Sequence, residues 1–222
     1  MSNSAQRPVP GIPYLRKEGG SFCWEPGPIV VVVSGPSGAG KDAVIRELRS
    51  LDGSIHFVVT ATSRPPRVDE VDGRDYHFLT REEFERRLER GEFLEHAIVY
   101  GDYKGVPRWE LTRALECGQD VVLRVDVQGA RTLRGLLPEA VFIFLMAESE
   151  EEHLRRLHGR GSEDGRTLAD RLAQLEHELQ ALADFDYVVI NRRDALKQAA
   201  AQIASIMTAE KLCLHRGRRQ PA

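Results

Sequence analysis

The stretch IVVVVSGPSGAGKDAVIRELRS, residues 29–50, constrains the fold more than any other part of the chain. Ile29 to Val33 are five consecutive β-branched residues, which predicts a strand buried on both faces rather than one with an alternating solvent face. Three glycines interrupt the run, and KDAVIRELRS then takes up a helical period. Gly35-Pro36-Ser37-Gly38-Ala39-Gly40-Lys41 matches G-x-x-x-x-G-K between a strand and a helix, the setting in which this motif cradles phosphates. Glycines let backbone N–H groups turn inward onto phosphate oxygens, and the helix adds the positive end of its dipole. At this chain's Gly and Lys usage the pattern arises by chance only about 0.04 times. Gly35, Ser37, Gly38, Ala39, Gly40 and Lys41 are therefore the predicted nucleotide-phosphate contacts, with Lys41 bridging the β- and γ-phosphates. The motif usually continues with a Ser or Thr whose hydroxyl ligates Mg²⁺. Asp42 stands there instead and is expected to serve the metal, directly or through a water, as a hard oxygen donor. Gly38-x-Gly40-x-x-Ala43 also fits a dinucleotide-binding turn. That reading needs an acid ~20 residues on, and HFVVTAT (56–62) carries none.

Strands and helices alternate through the rest of the chain. HFVVTAT (56–62), FLEHAIVY (93–100), DVVLRV (120–125), AVFIFLMA (140–147) and DYVVIN (186–191) read as strands. Thr80 to Gly91 reads as a helix with Thr80 and Glu83 as its capping box. Further helices are expected over 109–117, between 125 and 140, over 149–160, on to about Asp184, and from Asp194. This order predicts an α/β fold, a P-loop NTPase-type parallel sheet covered by helices on both faces. The region 61–117 is more polar and reads as an inserted subdomain. Residues 1–28 hold five prolines and little apolar periodicity, and read as a flexible extended arm.

Composition removes several classes of partner. A net charge of −3 and a pI near 6.2 argue against nucleic acid. The longest apolar runs fall far short of the ~20 residues that a membrane helix needs. Cys23, Cys117 and Cys213 are dispersed and odd in number, which fits a reducing compartment better than a disulfide framework. The first 28 residues lack the continuous apolar stretch of a secretory signal. Cytoplasm is the expected location, with organelle import through the arm left open because no acid precedes Glu18. The oligomeric state, monomer or homodimer, is also left open.

A second site is suggested by TATSRPPRVDEVDGRDYHF (60–78). Arg64 and Arg67, with Tyr76 downstream, offer two guanidinium forks and a phenol suited to a dianionic phosphomonoester. Asp69, Glu70, Asp72 and Asp75 lie in the same loop, so the residues alone equally suit a solvated, charge-balanced surface.

SGPSGAGK, TSRPPRVDEVDGRDYHF, FLEHA, YGDYKG, VDVQG, RRLHGRG and DYVVIN occur in an order that resembles guanylate kinases, from Ile29 to about Lys211. The resemblance implies in-line phosphoryl transfer from ATP to GMP, and to dGMP, with Mg²⁺. It implies a core of 29–60, 118–153 and 171–214, a GMP-binding subdomain of 61–117 and a lid of 154–170, followed by a basic tail of 215–222. It assigns the GMP phosphate to Arg64, Arg67 and Tyr76, and guanine N1–H and N2–H to Glu95. A carboxylate suits those adjacent donors, whereas adenine presents an acceptor at N1. By the same resemblance Thr60 stands near guanine O6, Asp126 serves the metal's water shell or the base, and Asn191 stands near adenine. Arg156, Arg160 and Arg171 are expected to converge on the transferring phosphoryl group.

Three further positions depart from the family pattern. Lys104 and Val106 replace a tyrosine and a Ser or Thr, and Arg124 replaces an acid two residues before Asp126. Lys104 can supply a point charge to phosphate, while Val106 cannot donate to guanine. With Asp42, these choices resemble the plastid-type branch of the family. Ribose 1,5-bisphosphate phosphokinases, which share Asp after the loop lysine, are the second resemblance, and Tyr76 with Glu95 favours the purine nucleotide. A non-catalytic guanylate kinase-like module that binds phosphopeptides typically loses phosphate-loop residues, and Gly35, Gly40 and Lys41 are all present here.

Overall fold

The computed structural model describes residues 7–9, 12–18, 21–99, 101–158 and 168–214. The chain opens with β1 (Arg7–Val9), β2 (Ile12–Glu18) and β3 (Ser21–Trp24), a three-stranded antiparallel sheet. The sequence reading expects an extended arm here and does not anticipate these strands. A proline-rich composition concealed the pairing. Trp24 Nε1 donates to Lys211 O at 3.4 Å, tying the sheet to the end of the last helix.

The core sheet begins with β4 (Val30–Ser34), which leads through the glycine turn into α1 (Lys41–Leu51) and on to β5 (His56–Phe57). The chain then leaves the core, so the single strand expected over 56–62 is two. The second piece, β6 (Ala61–Thr62), belongs to another sheet with β7 (His77–Phe78), β8 (Phe93–Val99) and β9 (Asp102–Pro107), in the order β7-β6-β9-β8. Between β7 and β8 lies α2 (Arg81–Glu89), where Thr80 accepts from Glu83 N at 3.1 Å as its cap. Phe84 of α2 stacks on Phe93 at 4.2 Å and on Tyr103 at 5.0 Å, giving the insert a small core of its own.

The chain returns through α3 (Arg108–Glu116), β10 (Val121–Arg124), α4 (Val127–Leu136), β11 (Val141–Ala147) and α5 (Glu150–His158). It ends with α6 (Leu168–Leu179), a 3-10 turn (Gln180–Asp184), β12 (Tyr187–Asn191) and α7 (Leu196–Lys211). The parallel core sheet has the order β12-β11-β4-β10-β5. Val31 and Val33 of β4 pack into a cluster with α1 and α7, while Val32 packs with α3 and α4 on the other side. Both faces are covered, which is why the strand reads as an unbroken apolar run. Leu111 and Ala114 place α3 against the core cluster rather than within the insert.

One clip joins the two sheets. Glu110 of α3 is bonded by His56 Nε2 of β5 at 2.7 Å and by His77 Nε2 of β7 at 2.8 Å.

Candidate active site

The glycine turn folds where only glycine fits. Gly35 has φ +140°, and a Cβ there would lie 1.9 Å from Leu145 O. Gly40 has φ +90°, and its Cβ would lie 2.4 Å from Asn191 Nδ2. Gly40 is also the N-cap of α1 and has no side chain to bond the first-turn N–H groups. Those donors, at the positive end of the helix, are what an anion needs.

A cleft of about 380 Å³ opens at the carboxyl ends of β4 and β10, where open α/β sheets bind ligands. The phosphate loop lines it with Gly35, Ser37, Gly38, Gly40, Lys41 and Asp42, and the insert contributes Thr60, Tyr76, Glu95, Ala97, Lys104 and Gly105. Arg124, Val125 and Asp126 come from the end of β10, and Gln174 and Glu178 from α6. The structure thus gathers most of the predicted residues from three of these stretches, the phosphate loop, the insert and the end of β10.

Lys41 is half-buried, and its Nζ donates to the carbonyls of Gly35 at 2.6 Å and Pro36 at 3.0 Å. Burial lowers its amine to about 8, opposed in part by Glu178, Asp42 and Asp126 and assisted by Arg124. Asp42 forms a salt bridge with Arg124. Asp126 caps α4, its Oδ1 accepting from Gly129 N at 2.7 Å.

Glu95 reaches the cleft through a register shift. Phe93 pairs with Pro107 and Glu95 with Val106, so Leu94 is the extra residue of a bulge. Phe93 then packs in the insert and Leu94 in the core. Burial raises the Glu95 carboxyl to about 7, and the neighbouring negative charge of Asp126 adds to the effect. Val106 is fully buried, in the core cluster. Lys104 Nζ lies 5.9 Å from the centre of the Tyr76 ring.

Other predicted residues stand outside this cleft. Arg64 makes a two-pronged salt bridge with Glu70, both bonds 2.6 Å, and its guanidinium lies 5.0 Å from the Tyr76 ring centre. Those bonds raise Arg64 above its usual pKa and hold Glu70 down at about 2. Arg67 is exposed. Arg156 does not line the cleft. Glu152, four residues earlier on α5, takes its Nε at 2.6 Å, and its two Nη groups donate to Ala39 O at 3.3 Å and Asn191 O at 2.9 Å. Asn191 is buried in the same brace, with Nδ2 donating to Ala39 O at 2.9 Å. Ala39 itself is fully buried and supports the loop from behind. Arg171 lies on α6, half-buried, while Arg160 falls outside the described residues.

Sequence reasoning missed Gln174 and Glu178 as cleft residues. Their spacing from Arg171, three and seven positions, puts all three on one helical face, and that signal was available. Gln174 Nε2 bonds Glu178 Oε1 at 3.1 Å. Asp42 and Asp126 are hard oxygen donors beside a phosphate cradle, which fits Mg²⁺ held by one or two carboxylates and substrate phosphates. The described residues hold no group of three His, Cys, Asp or Glu that would make an all-protein metal cage. No helix among them is long and apolar enough to cross a membrane.

Comparison with known proteins bears on the same stretch. The family model described as guanylate kinase matches residues 28–210. "Guanylate kinase 2, chloroplastic/mitochondrial" of Oryza sativa subsp. japonica is 50% identical over 192 residues, covering 86% of this chain and 67% of that protein. A guanylate kinase of Clostridioides difficile (strain 630) is 40% identical over 183 residues, covering 82% of this chain and 88% of that protein. A crystal structure of guanylate kinase from Anaplasma phagocytophilum is similar with a TM-score of 0.67 and 32% identity, covering 86% of this chain and 90% of that one. With the phosphate loop, the parallel core and the match all falling on one continuous stretch, this chain belongs to the guanylate kinase family.

Proposed function

We propose that the cleft transfers the γ-phosphoryl group of ATP to the phosphate of GMP, and of dGMP, giving ADP and the nucleoside diphosphate. One observation carries the assignment of groups: a phosphate loop with Lys41 and a half-buried carboxyl, Glu95, line the same cavity. The loop's N–H groups and Lys41 hold the ATP phosphates. The Lys41 ammonium exchanges the carbonyls of Gly35 and Pro36 for phosphate oxygens. Ionised Glu95 accepts from guanine N1–H and N2–H, with Thr60 alongside. Tyr76, Lys104, Arg64 and Arg67 hold the acceptor phosphate, which takes the place of the Glu70 carboxylate on the Arg64 fork. Asp42 and Asp126 would hold Mg²⁺, which would supply positive charge to offset that of the phosphates. Arg160 and Arg171 supply further positive charge from the lid side, and Arg156 with Asn191 fixes the loop they act on.

We place the activity in the cytoplasm, since Cys23, Cys117 and Cys213 are free thiols and suit a reducing compartment. A coupled-enzyme panel with GMP, dGMP, AMP, UMP and ribose 1,5-bisphosphate tests the substrate. The expected result is turnover with GMP and dGMP and at least about a hundredfold lower kcat/KM with the others, because a site that hydrogen-bonds a base edge rejects bases lacking it. Equal or better turnover of ribose 1,5-bisphosphate would overturn the assignment.

A further inference from the structure

Asp42 is the second residue of α1 and Arg124 the last of β10, and their side chains meet in a salt bridge. Both side chains are partly exposed to solvent. Both residues line the nucleotide cleft, and both also line an adjoining cavity of about 340 Å³ together with Thr60 and Tyr76. Arg124 therefore stands where the phosphate-loop end of the site meets the insert. Among the described residues lining the cleft it is the one guanidinium; the other cations are Lys41 and Lys104. Its field reaches Lys41, whose amine it helps to lower.

Charge in the cleft explains why this matters. Four carboxyl groups line it, those of Asp42, Glu95, Asp126 and Glu178. Bringing two phosphate groups together there requires cations positioned between them, and a fork that binds oxygens in pairs suits that task best. In this structure one nitrogen of that guanidinium is held by Asp42, a residue of the phosphate loop's own helix. A carboxylate at this point also offers a hard oxygen to a cation accompanying ATP. It cannot keep the full strength of both partners.

We propose that Arg124 is a residue that binds the acceptor phosphate, and that Asp42 is its exchangeable anchor. Before ATP binds, Arg124 is held on Asp42. When Mg²⁺ and ATP occupy the loop, Asp42 turns its charge to the metal and releases the guanidinium to the acceptor. Donor binding thereby strengthens acceptor binding through two residues of this chain. The inference rests on the ATP and GMP assignment above and adds the coupling between the two sites.

Calorimetric titration of GMP, with and without Mg²⁺ and a non-hydrolysable ATP analogue, tests it on the full chain. The wild-type protein is expected to bind GMP about tenfold more tightly when the donor analogue is present, within the usual range of coupling between sites. Arg124→Met should lose that gain, to about twofold or less, and Arg124→Lys should keep part of it. Asp42→Asn should bind GMP tightly already without donor, and need more Mg²⁺ to bind the analogue. The proposal is overturned by an Arg124→Met protein that keeps the tenfold gain. It is equally overturned if Asp42→Asn, which does not depend on Arg124→Met folding, shows wild-type GMP affinity in the absence of donor. A wild-type protein that fails to bind GMP under either condition instead removes the substrate assignment, and the inference with it.

Discussion

Glu95 turns its carboxyl into the cleft that Asp126 also lines, and burial together with that second negative charge raises it to about 7. Guanine offers two donors, so the group must be ionised to accept both. GMP affinity should therefore rise with pH through about 7. The phosphate of GMP titrates near pH ~6 as well, so the control is Glu95→Gln, which keeps the phosphate's titration and loses the upper step. Glu95→Gln should also raise the GMP KM strongly, since its amide NH₂ opposes one of the guanine donors. A variant with wild-type KM and an unchanged pH profile would remove Glu95 from base recognition.

The same group makes a prediction about stability. Its folded pKa lies above the ordinary carboxylate value of 4.5, so between pH 4.5 and about 7 the folded protein holds more protons than the unfolded chain. Stability should then fall as pH rises across that window, by on the order of 3 kcal/mol from this residue alone. Denaturant melts at pH 5 and pH 7.5 check it, and Glu95→Gln should flatten the difference.

Gly129 gives Glu95 its room. A Cβ at Gly129 would lie 3.2 Å from Glu95 Cδ and Oε2 and 3.1 Å from Val125 Cβ. Gly129→Ala in α4 gains about 1 kcal/mol of helix propensity, so the fold should tolerate it. The crowded carboxyl should not. The expected outcome is a several-fold higher GMP KM with an unchanged ATP KM and a melting temperature at or near wild type.

How legible was this site? The phosphate loop could be read directly, because three glycines and a lysine between an apolar strand and a helix have few other uses. The parallel core followed from Val31, Val32 and Val33, buried on alternate faces. Local pattern could not locate the break after Phe57, because HFVVTAT has strand composition throughout and only tertiary pairing divides it. Nor could it place the bulge at Leu94 that brings Glu95 to the cleft. The partners of Arg156 were hidden for a related reason. An arginine near a lid motif looks available to substrate, and only packing reveals that Glu152 and two carbonyls already occupy it.

Lys41→Met should stop transfer while sparing the fold. Removing a positive charge aimed at the moving phosphoryl group should cost about 10³-fold in kcat. At neutral pH the buried ammonium is a burden on stability: its pKa of about 8 against 10.5 unfolded corresponds to on the order of 3 kcal/mol. Methionine relieves that penalty but leaves the Gly35 and Pro36 carbonyls without Nζ, a loss of about 1–3 kcal/mol. The opposing effects are similar in size, so the melting temperature should stay within a few degrees of wild type. Near wild-type turnover in a folded variant would refute the role given to Lys41.

Asn191 tests whether the back of the phosphate loop is a brace or a base contact. Its Nδ2 donates to Ala39 O at 2.9 Å, and Arg156 donates to the same carbonyl at a longer 3.3 Å. Asn191→Ala leaves that buried carbonyl with the weaker partner alone and should cost about 1–2 kcal/mol. Asn191→Asp should cost more, because a carboxylate oxygen then faces a carbonyl oxygen in a buried setting. The loop geometry should loosen in both, raising the ATP KM several-fold while the GMP KM stays within twofold. A role beside adenine makes a different forecast, in which Asn191→Ala relaxes the preference for ATP over other nucleoside triphosphates. Melting curves and a donor panel on the two variants separate these outcomes. Lower stability with unchanged donor preference assigns Asn191 to the brace, and unchanged stability with relaxed preference assigns it to the base.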